Sequence, residues 1–434
     1  VHHKKKQYVN TVLYHFFLIT ASAIARCLTP VNDKIDRFFK LRRGEIERIE
    51  YFFHKSEPRE VLWFHASSAG EFEQAKPLIE HCKERYPDSR LIASFFSPSG
   101  YDAGMKYDTV DFCFNIPLDY RKSMNRLLDA ISPRALLFSR YDVWPNLTRE
   151  AHKRGVPLIL FSASLREHSY RHRFPLRLLL RKTYNRLTRI HAISQSDAAR
   201  FVKIVTCGQE RIIISGDTRF DRIREVIHRE RRTGKLLQES GGNLTFIAGS
   251  TYRVTERLLL KVAVRLNSSS PIRWIIVPHE VDTRNIKRLE QDILKRGFSP
   301  VRYSTLSRPV SLSAKEILIV DIIGILALLY AEADIVFVGG SFRGSVHSVL
   351  EPAIWGKPIL TGPAIANAHE AIALKEHGGL IACRNGSDLQ EAIVRLIADH
   401  RYRRSVSRRA EEYFNANTGA ATTIIRDLEN ILNR

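Results

Sequence analysis

Val61-Leu62-Trp63-Phe64-His65 carries no Asp, Glu, Lys or Arg and runs directly into Ala66-Ser67-Ser68-Ala69-Gly70-Glu71. The first five residues read as a buried strand. From Phe72 to Arg85 the period changes to that of a helix, with Phe72, Ala75, Leu78, Ile79 and Cys82 on one face. A buried strand that enters a helix through a short Ser/Gly turn is the opening of a βαβ unit.

The pattern repeats downstream. Leu91 to Phe96, Ala135 to Ser139, Pro157 to Ser162 and Arg189 to Ile193 are strand-like runs separated by helical periods. A second series begins at Leu244-Thr245-Phe246-Ile247-Ala248. It continues through Trp274 to Val277, Ile317 to Val320, Ile335 to Val338 and Pro358-Ile359-Leu360. This alternation predicts an α/β chain with parallel sheets. Its 434 residues fit two or three domains. The charged stretch Arg222 to Gly242, ending in Gly-Gly, reads as the linker between two halves. The expected division is an N-terminal segment 1–30, a domain 31–221, the linker 222–242 and a domain 243–434. Two such halves with a hinge predict a cleft with ligands at the carboxyl ends of strands.

The chain carries 68 Lys and Arg against 46 Asp and Glu, a formal charge of +22. That excess predicts polyanionic partners: nucleic acid, an anionic membrane face or phosphorylated substrates. No nucleic-acid motif accompanies the charge, so the expectation is no nucleic acid. Five scattered cysteines form no Cys-x-x-Cys pair and read as reduced thiols. His168 and His172 stand at helical spacing but have no third ligand, and no metal is expected.

At the N-terminus, His2-His3-Lys4-Lys5-Lys6 precedes an apolar run from Val9 to Ala25. Arg26 and Cys27 stand where a signal-peptide cleavage site would need small residues. The run falls short of the ~20 residues of a comfortable span. It reads as an uncleaved anchor lying in an anionic membrane face, or as an amphipathic helix packed on the body. The stretch Arg166 to Arg189 interleaves Arg with Leu176, Leu178, Leu179 and Leu180. It reads as a solvated face or as a surface for anionic lipid or a phosphorylated acceptor.

Three segments and one strand end carry candidate chemistry. Ser68-x-x-Glu71 fits a capping box, in which Ser68 caps the helix and Glu71 reaches back. It equally fits a general base, since a helix N-terminus keeps a carboxylate ionised. Val338-Gly339-Gly340-Ser341-Phe342-Arg343-Gly344-Ser345 is a strand end whose Gly339 and Gly340 N–H groups can converge on a phosphate. It lacks the Lys of a P-loop and the spacing of G-x-G-x-x-G, which disfavours a dinucleotide-binding dehydrogenase. Ser348-Val349-Leu350-Glu351 is a second capping-box pattern, or places Glu351 against two ribose hydroxyls. Pro278-His279 closes a strand where a nucleotide could lie.

Taken in order, these segments resemble the 3-deoxy-manno-octulosonic acid (Kdo) transferases of lipid A assembly. His65-Ala66-Ser67-Ser68-Ala69-Gly70-Glu71 is similar to the family's H-A-x-S-x-G-E, and Pro117-Leu118-Asp119 to its P-L-D. Tyr141-Asp142-Val143-Trp144-Pro145-Asn146 resembles its acidic-x-W-P-N, and Gly216-Asp217-Thr218-Arg219-Phe220-Asp221 its G-N/D-x-K/R-F-D. Ala248-Gly249-Ser250-Thr251, Gly339-Gly340-Ser341 and Leu350-Glu351-Pro352-Ala353 match its A-G-S-T, G-G-S and L-E-P-A. The chain departs from the pattern at Asp142, where Glu is usual, and at Pro278-His279-Glu280, where Pro-Arg-His is frequent. It departs again at Gly324-Ile325-Leu326 and from Gly344 to Ser348.

The resemblance implies two facing Rossmann-like domains of the GT-B glycosyltransferase type with an N-terminal membrane-anchoring helix. It implies metal-independent, inverting transfer from CMP-Kdo to a lipid A precursor, lipid IVA, at the cytoplasmic face of the inner membrane. By position, Glu71 is the base, and Asp142 and Arg219 assist the transition state. The CMP contacts are Pro278, His279, Ile323, Gly324, Ile325, Ser348, Val349, Leu350 and Glu351. Rival readings are a transferase using another nucleotide sugar, such as a UDP sugar, and a non-catalytic binder of anionic lipid or nucleic acid.

Overall fold

The computed structural model describes residues 2–165, 176–206, 208–230, 236–238, 242–266, 272–306, 309–313 and 315–433. His168, His172 and the first part of the Arg/Leu-rich stretch lie outside them. Within them the chain forms two compact units, Val1–Arg222 with Thr418–Arg434, and Ile223–Asn417.

The first unit is built on β1 (Val61–Ala66), β2 (Arg90–Phe95), β3 (Phe112–Asn115), β4 (Ala135–Ser139), β5 (Leu158–Ala163), β6 (Arg189–Ala192) and β7 (Ile212–Ile214). They pair in parallel in the order β3-β2-β1-β4-β5-β6-β7. Every residue of β1 and β5 is buried, because helices cover both faces of a parallel sheet. Alternate side chains then feed two cores. Trp63 joins Ile49, Phe114, Leu127 and Leu147 on one face. Its neighbours Leu62 and Phe64 join Phe72, Leu78 and Leu91 on the other.

The second face is closed by the end of the chain. The helix Ala420–Leu432 contributes Ala421, Ile424, Ile425 and Leu428 to that core, a single helical stripe. The residues from 418 onward therefore belong with the first unit, whereas periodicity alone assigned them to a domain ending at 434. The start of that helix is held by Asp221, whose carboxylate accepts the Gly419 N–H at 2.6 Å and the Ala421 N–H at 2.8 Å. The expected linker differs as well. Arg222 to Glu230 is helical, continuing a helix that starts at Thr218, and Phe220 and Ile227 on it are buried.

The second unit carries β8 (Leu244–Thr251), β9 (Ile272–Pro278), β10 (Ser299–Arg302), β11 (Glu316–Ile319), β12 (Ile335–Val338), β13 (Ile359–Thr361) and β14 (Leu380–Ala382). All are parallel, in the order β10-β11-β9-β8-β12-β13-β14. Both sheets thus turn back on themselves about their first strand. The change of direction falls between β1 and β4 in one and between β8 and β12 in the other. In open parallel sheets these are the crevices where loops diverge and ligands bind.

At the N-terminus a 26-residue helix, His2–Cys27, lies on the first unit. Tyr14 donates to Asp119 at 2.9 Å, and the Ser22 and Tyr120 hydroxyls are 3.0 Å apart. Among the described residues no helix is long and apolar enough to cross a membrane.

Candidate functional site

Glu71 occupies the first turn of the helix Ala69–Arg85, immediately beyond the carboxyl end of β1. Ser68 is the N-cap, its Oγ accepting the Glu71 N–H at 3.4 Å. The Glu71 carboxylate accepts the Ser67 N–H at 2.7 Å, one residue further back than a reciprocal capping box requires. The side chain is 6% exposed. The turn is tied to the next strand, since Ser139 Oγ of β4 donates to the Glu71 carbonyl at 3.2 Å. Asp142 is half-buried in the loop that leaves β4. The two carboxylates the sequence singled out therefore follow the two strands that flank the switch point.

His65 closes β1 and is sealed from solvent. Trp144 Nε1 donates to its Nε2 at 2.9 Å, and its Nδ1 lies 2.8 Å from Ser94 Oγ, which also accepts from Trp63 Nε1 at 2.7 Å. An indole N–H can only donate, so Nε2 is the acceptor and Nδ1 carries the proton. Burial pushes the imidazole down to about 3, so the ring is neutral. His65 is a rigid spacer between two loops, and its ring takes up no second proton near neutrality.

Asp119 performs the matching task one loop away. Its carboxylate accepts the N–H groups of Asn146 at 2.8 Å and Leu147 at 2.9 Å, the first turn of the helix Pro145–Lys153. Burial, the largest influence, raises this carboxyl to about 7. Thr218 Oγ1 donates to the Gln74 carbonyl at 2.7 Å and lies 2.8 Å from Ser162 Oγ. This ties the segment from Gly216 to Asp221 to the helix that bears Glu71. Arg219 is not a bare cation, since its backbone N–H and its Nε donate to Asp217 at 2.9 and 2.8 Å.

In the second unit the expected donor contacts sit at strand ends of one sheet. Pro278 ends β9, Ile323-Gly324-Ile325 follows β11, and Gly339-Gly340 follows β12. Ile323 is 84% exposed and Gly324 has a φ of +99°. The Gly339 N–H donates to the Gly249 carbonyl at 2.9 Å, so it is committed to pairing with β8 and is not held out for a phosphate. What Gly339 provides is close approach, because a Cβ there would lie 2.0 Å from the Ser250 carbonyl oxygen. Gly340 supplies a φ of +92°.

The pattern Ser348-x-x-Glu351 forms no capping box. The helix Leu350–Ile354 has Val349 at its N-cap and no side-chain cap. Burial raises the Glu351 carboxyl to about 7, with Ser348 partly opposing the shift. An aromatic cluster that sequence reading did not find stands beside these loops. His279 and His347 stack with centroids 4.4 Å apart, Tyr252 packs on both, and Arg343 lies 4.8 Å above the Tyr252 ring.

Residues 42–222 match the family described as 3-deoxy-D-manno-octulosonic-acid transferase (kdotransferase). The chain is 28% identical to the 3-deoxy-D-manno-octulosonic acid transferase of Chlamydia muridarum over 95% of its length and 96% of the relative's. It is 25% identical to that of Haemophilus influenzae, covering 91% and 93%. A bifunctional glycosyltransferase/methyltransferase of Fusobacterium nucleatum is 26% identical over 74% of this chain, which spans 50% of that longer protein. Among solved structures, the UDP-GlcNAc 2-epimerase of Neisseria meningitidis bound to UDP-GlcNAc superposes with a TM-score of 0.60 at 14% identity. It covers 86% of this chain and all of its own, and it shares the fold alone. Two parallel α/β units of Rossmann type, a family match over residues 42–222 and relatives aligned along nearly the full chain converge on one likeness: the chain is similar to the Kdo transferases.

Proposed function

We propose that the chain transfers Kdo from CMP-Kdo to a sugar hydroxyl of a lipid A precursor, lipid IVA, with inversion and without a metal. The observation that carries this reading is Glu71. It is a nearly buried carboxylate at the switch point of the first sheet, fixed by the Ser67 N–H and by a helix start bound to β4. In the proposed step the acceptor oxygen forms a bond to the anomeric carbon of Kdo and its proton passes to Glu71. The bond from that carbon to the CMP phosphate breaks, and CMP leaves with the electron pair as an ionised phosphate. No acid is required on the leaving side, and the carbon passes through oxocarbenium character. Asp142 and Arg219 are proposed to steady that charge. Pro278, His279, the loop 323–325 and Ser348 to Glu351 are proposed to hold the nucleotide, with Glu351 accepting from the ribose hydroxyls.

The anionic inner-membrane surface is the proposed location. Phe16, Ile19, Ile24, Leu28 and Val31 are 67, 56, 61, 44 and 81% exposed, an apolar strip on a chain of formal charge +22. Such a strip supports insertion at a cytoplasmic lipid interface without crossing it.

The test is incubation with CMP-Kdo and a tetraacylated disaccharide acceptor, read by mass spectrometry of the lipid and by CMP release. Glu71→Gln is expected to lower turnover by about 10²–10⁴-fold, with CMP binding and melting temperature near wild type. Near-normal turnover by Glu71→Gln would remove Glu71 from the role of base.

A further inference from the structure

A cavity of about 530 Å³ opens in the second unit, beyond the ends of β8 and β9 and at the starts of the helices Arg253–Leu266 and Thr283–Leu294. Four guanidinium groups line it: Arg253, Arg284, Arg288 and Arg343. Arg288 is neutralised by Glu256 at 2.7 Å and Asp292 at 3.3 Å. Among the described residues, Arg253, Arg284 and Arg343 have no carboxylate partner. Of the two acids in the wall, Glu256 is taken by Arg288, and Glu280 accepts from Asn285 at 3.0 Å. The volume suits a small ligand. Three unpaired planar cations around one cavity match carboxylate or phosphate oxygens. Tyr252, under Arg343 and against His279 and His347, adds a flat wall for a ring.

We propose that Arg253, Arg284 and Arg343 form the anion-recognition group for the donor, reading the carboxylate and the phosphate carried on the anomeric carbon of a nucleotide-linked 2-keto sugar acid. The assignment deepens the Kdo transfer reading and rests on it. None of these arginines lies in a motif that carries the family resemblance. They come from positions 253, 284 and 343, and only the fold collects them. The charge pattern also sets specificity. A nucleotide sugar with no carboxylate leaves one anion fewer in a cavity built with three free cations, so a neutral-sugar donor is disfavoured.

The experiment measures donor KM and kcat for CMP-Kdo in the full chain, wild type against Arg284→Ala, Arg343→Ala and the double variant. Melting temperatures serve as the fold control, and Arg343→Lys tests whether charge alone suffices. Each single variant is expected to raise donor KM by about tenfold or more, as loss of a charged hydrogen bond does. The double variant should raise it further, and all should melt as wild type. Competition by free Kdo should weaken in parallel, because free Kdo carries the carboxylate and no phosphate. If wild type turns over CMP-Kdo and the double variant keeps its KM, the arginine assignment is overturned and the transfer reading stands. If wild type releases no CMP from CMP-Kdo, the transfer reading fails and takes the assignment with it.

Discussion

Trp144 donates its indole N–H to His65 Nε2 at 2.9 Å, joining the loop after β4 to the end of β1. Trp144 also packs on Phe96, centroids 4.9 Å apart, so three strand ends share one contact. Trp144→Phe keeps an aromatic ring, though a smaller one, and removes the donor, leaving a buried imidazole nitrogen unsatisfied. The expected cost is about 1–3 kcal/mol in chemical denaturation. Turnover should fall as well, because Asp142 stands two residues before Trp144. A variant with unchanged stability would show that the bond does not hold the loop.

The depressed pKa of His65 gives a second outcome. Its value of about 3 in the folded chain lies below the ordinary 6.5. Between those values the unfolded chain binds a proton that the folded chain refuses, so the stability this group contributes is present above pH 6.5 and is lost as pH falls toward 3. Denaturation midpoints measured from pH 8 to pH 4 should decline, and His65→Gln should flatten that decline. An equally steep acid limb in His65→Gln would assign the loss to other groups.

Glu351 titrates where its role can be tested. Burial holds it at about 7, so below that pH it is protonated and loses the charge proposed to accept hydrogen bonds from two ribose hydroxyls. Donor KM is expected to rise as pH falls from 8 to 6 in wild type. In Glu351→Gln it should be high and flat across that range, with kcat less affected. An unchanged KM in Glu351→Gln would remove it from the donor site.

The interior of both sheets was readable as apolar runs, and the boundaries moved by only a few residues, as in Leu91 to Phe96 against Arg90–Phe95. The strands that periodicity did not pick out are Phe112–Asn115, Ile212–Ile214, Ser299–Arg302 and Leu380–Ala382. They are the four outer strands of the two sheets. An edge strand pairs on one side only and is three or four residues long here, too short for a pattern of period two to stand out. Glu71 was legible because a strand, a turn and a helix in direct succession fix where it sits. The supports of Pro145–Lys153 and Ala420–Leu432 were not. Asp119 caps a helix 27 residues away, and Asp221 one 198 residues away. No local spacing encodes such pairs. The second unit's arginine cavity was hidden for the same reason.

Tyr14 links the N-terminal helix to this framework through Asp119, the carboxylate that holds the start of Pro145–Lys153. Burial and the nearby carboxylate both raise the Tyr14 phenol. Tyr14→Phe removes one of three donors to Asp119 and should cost about 1 kcal/mol. Asp119→Asn should cost more, since one acceptor oxygen for the Asn146 and Leu147 N–H groups is lost. The double variant should cost less than the sum, because the two share one bond. Additive losses would mean that the helix docks independently of Asp119.

The exposed strip of that helix gives the last test. Tyr14, Leu18, Ser22 and Ala25 face the body or are half-buried, whereas Phe16, Ile19 and Ile24 point away and stay in water. Apolar side chains left in water at a helix surface gain when a lipid interface accepts them, roughly 1 kcal/mol or more each. The triple variant Phe16→Ser, Ile19→Ser, Ile24→Ser should therefore bind anionic phospholipid vesicles at least about tenfold more weakly in co-sedimentation. Its turnover on a detergent-dispersed acceptor should stay near wild type, because none of the three touches the Tyr14–Asp119 contact. Raising salt should weaken wild type as well, since the charge of +22 supplies the long-range part of the attraction. Vesicle binding that survives the triple variant but vanishes in salt would place the attraction in the basic surface and leave the apolar strip without a lipid role.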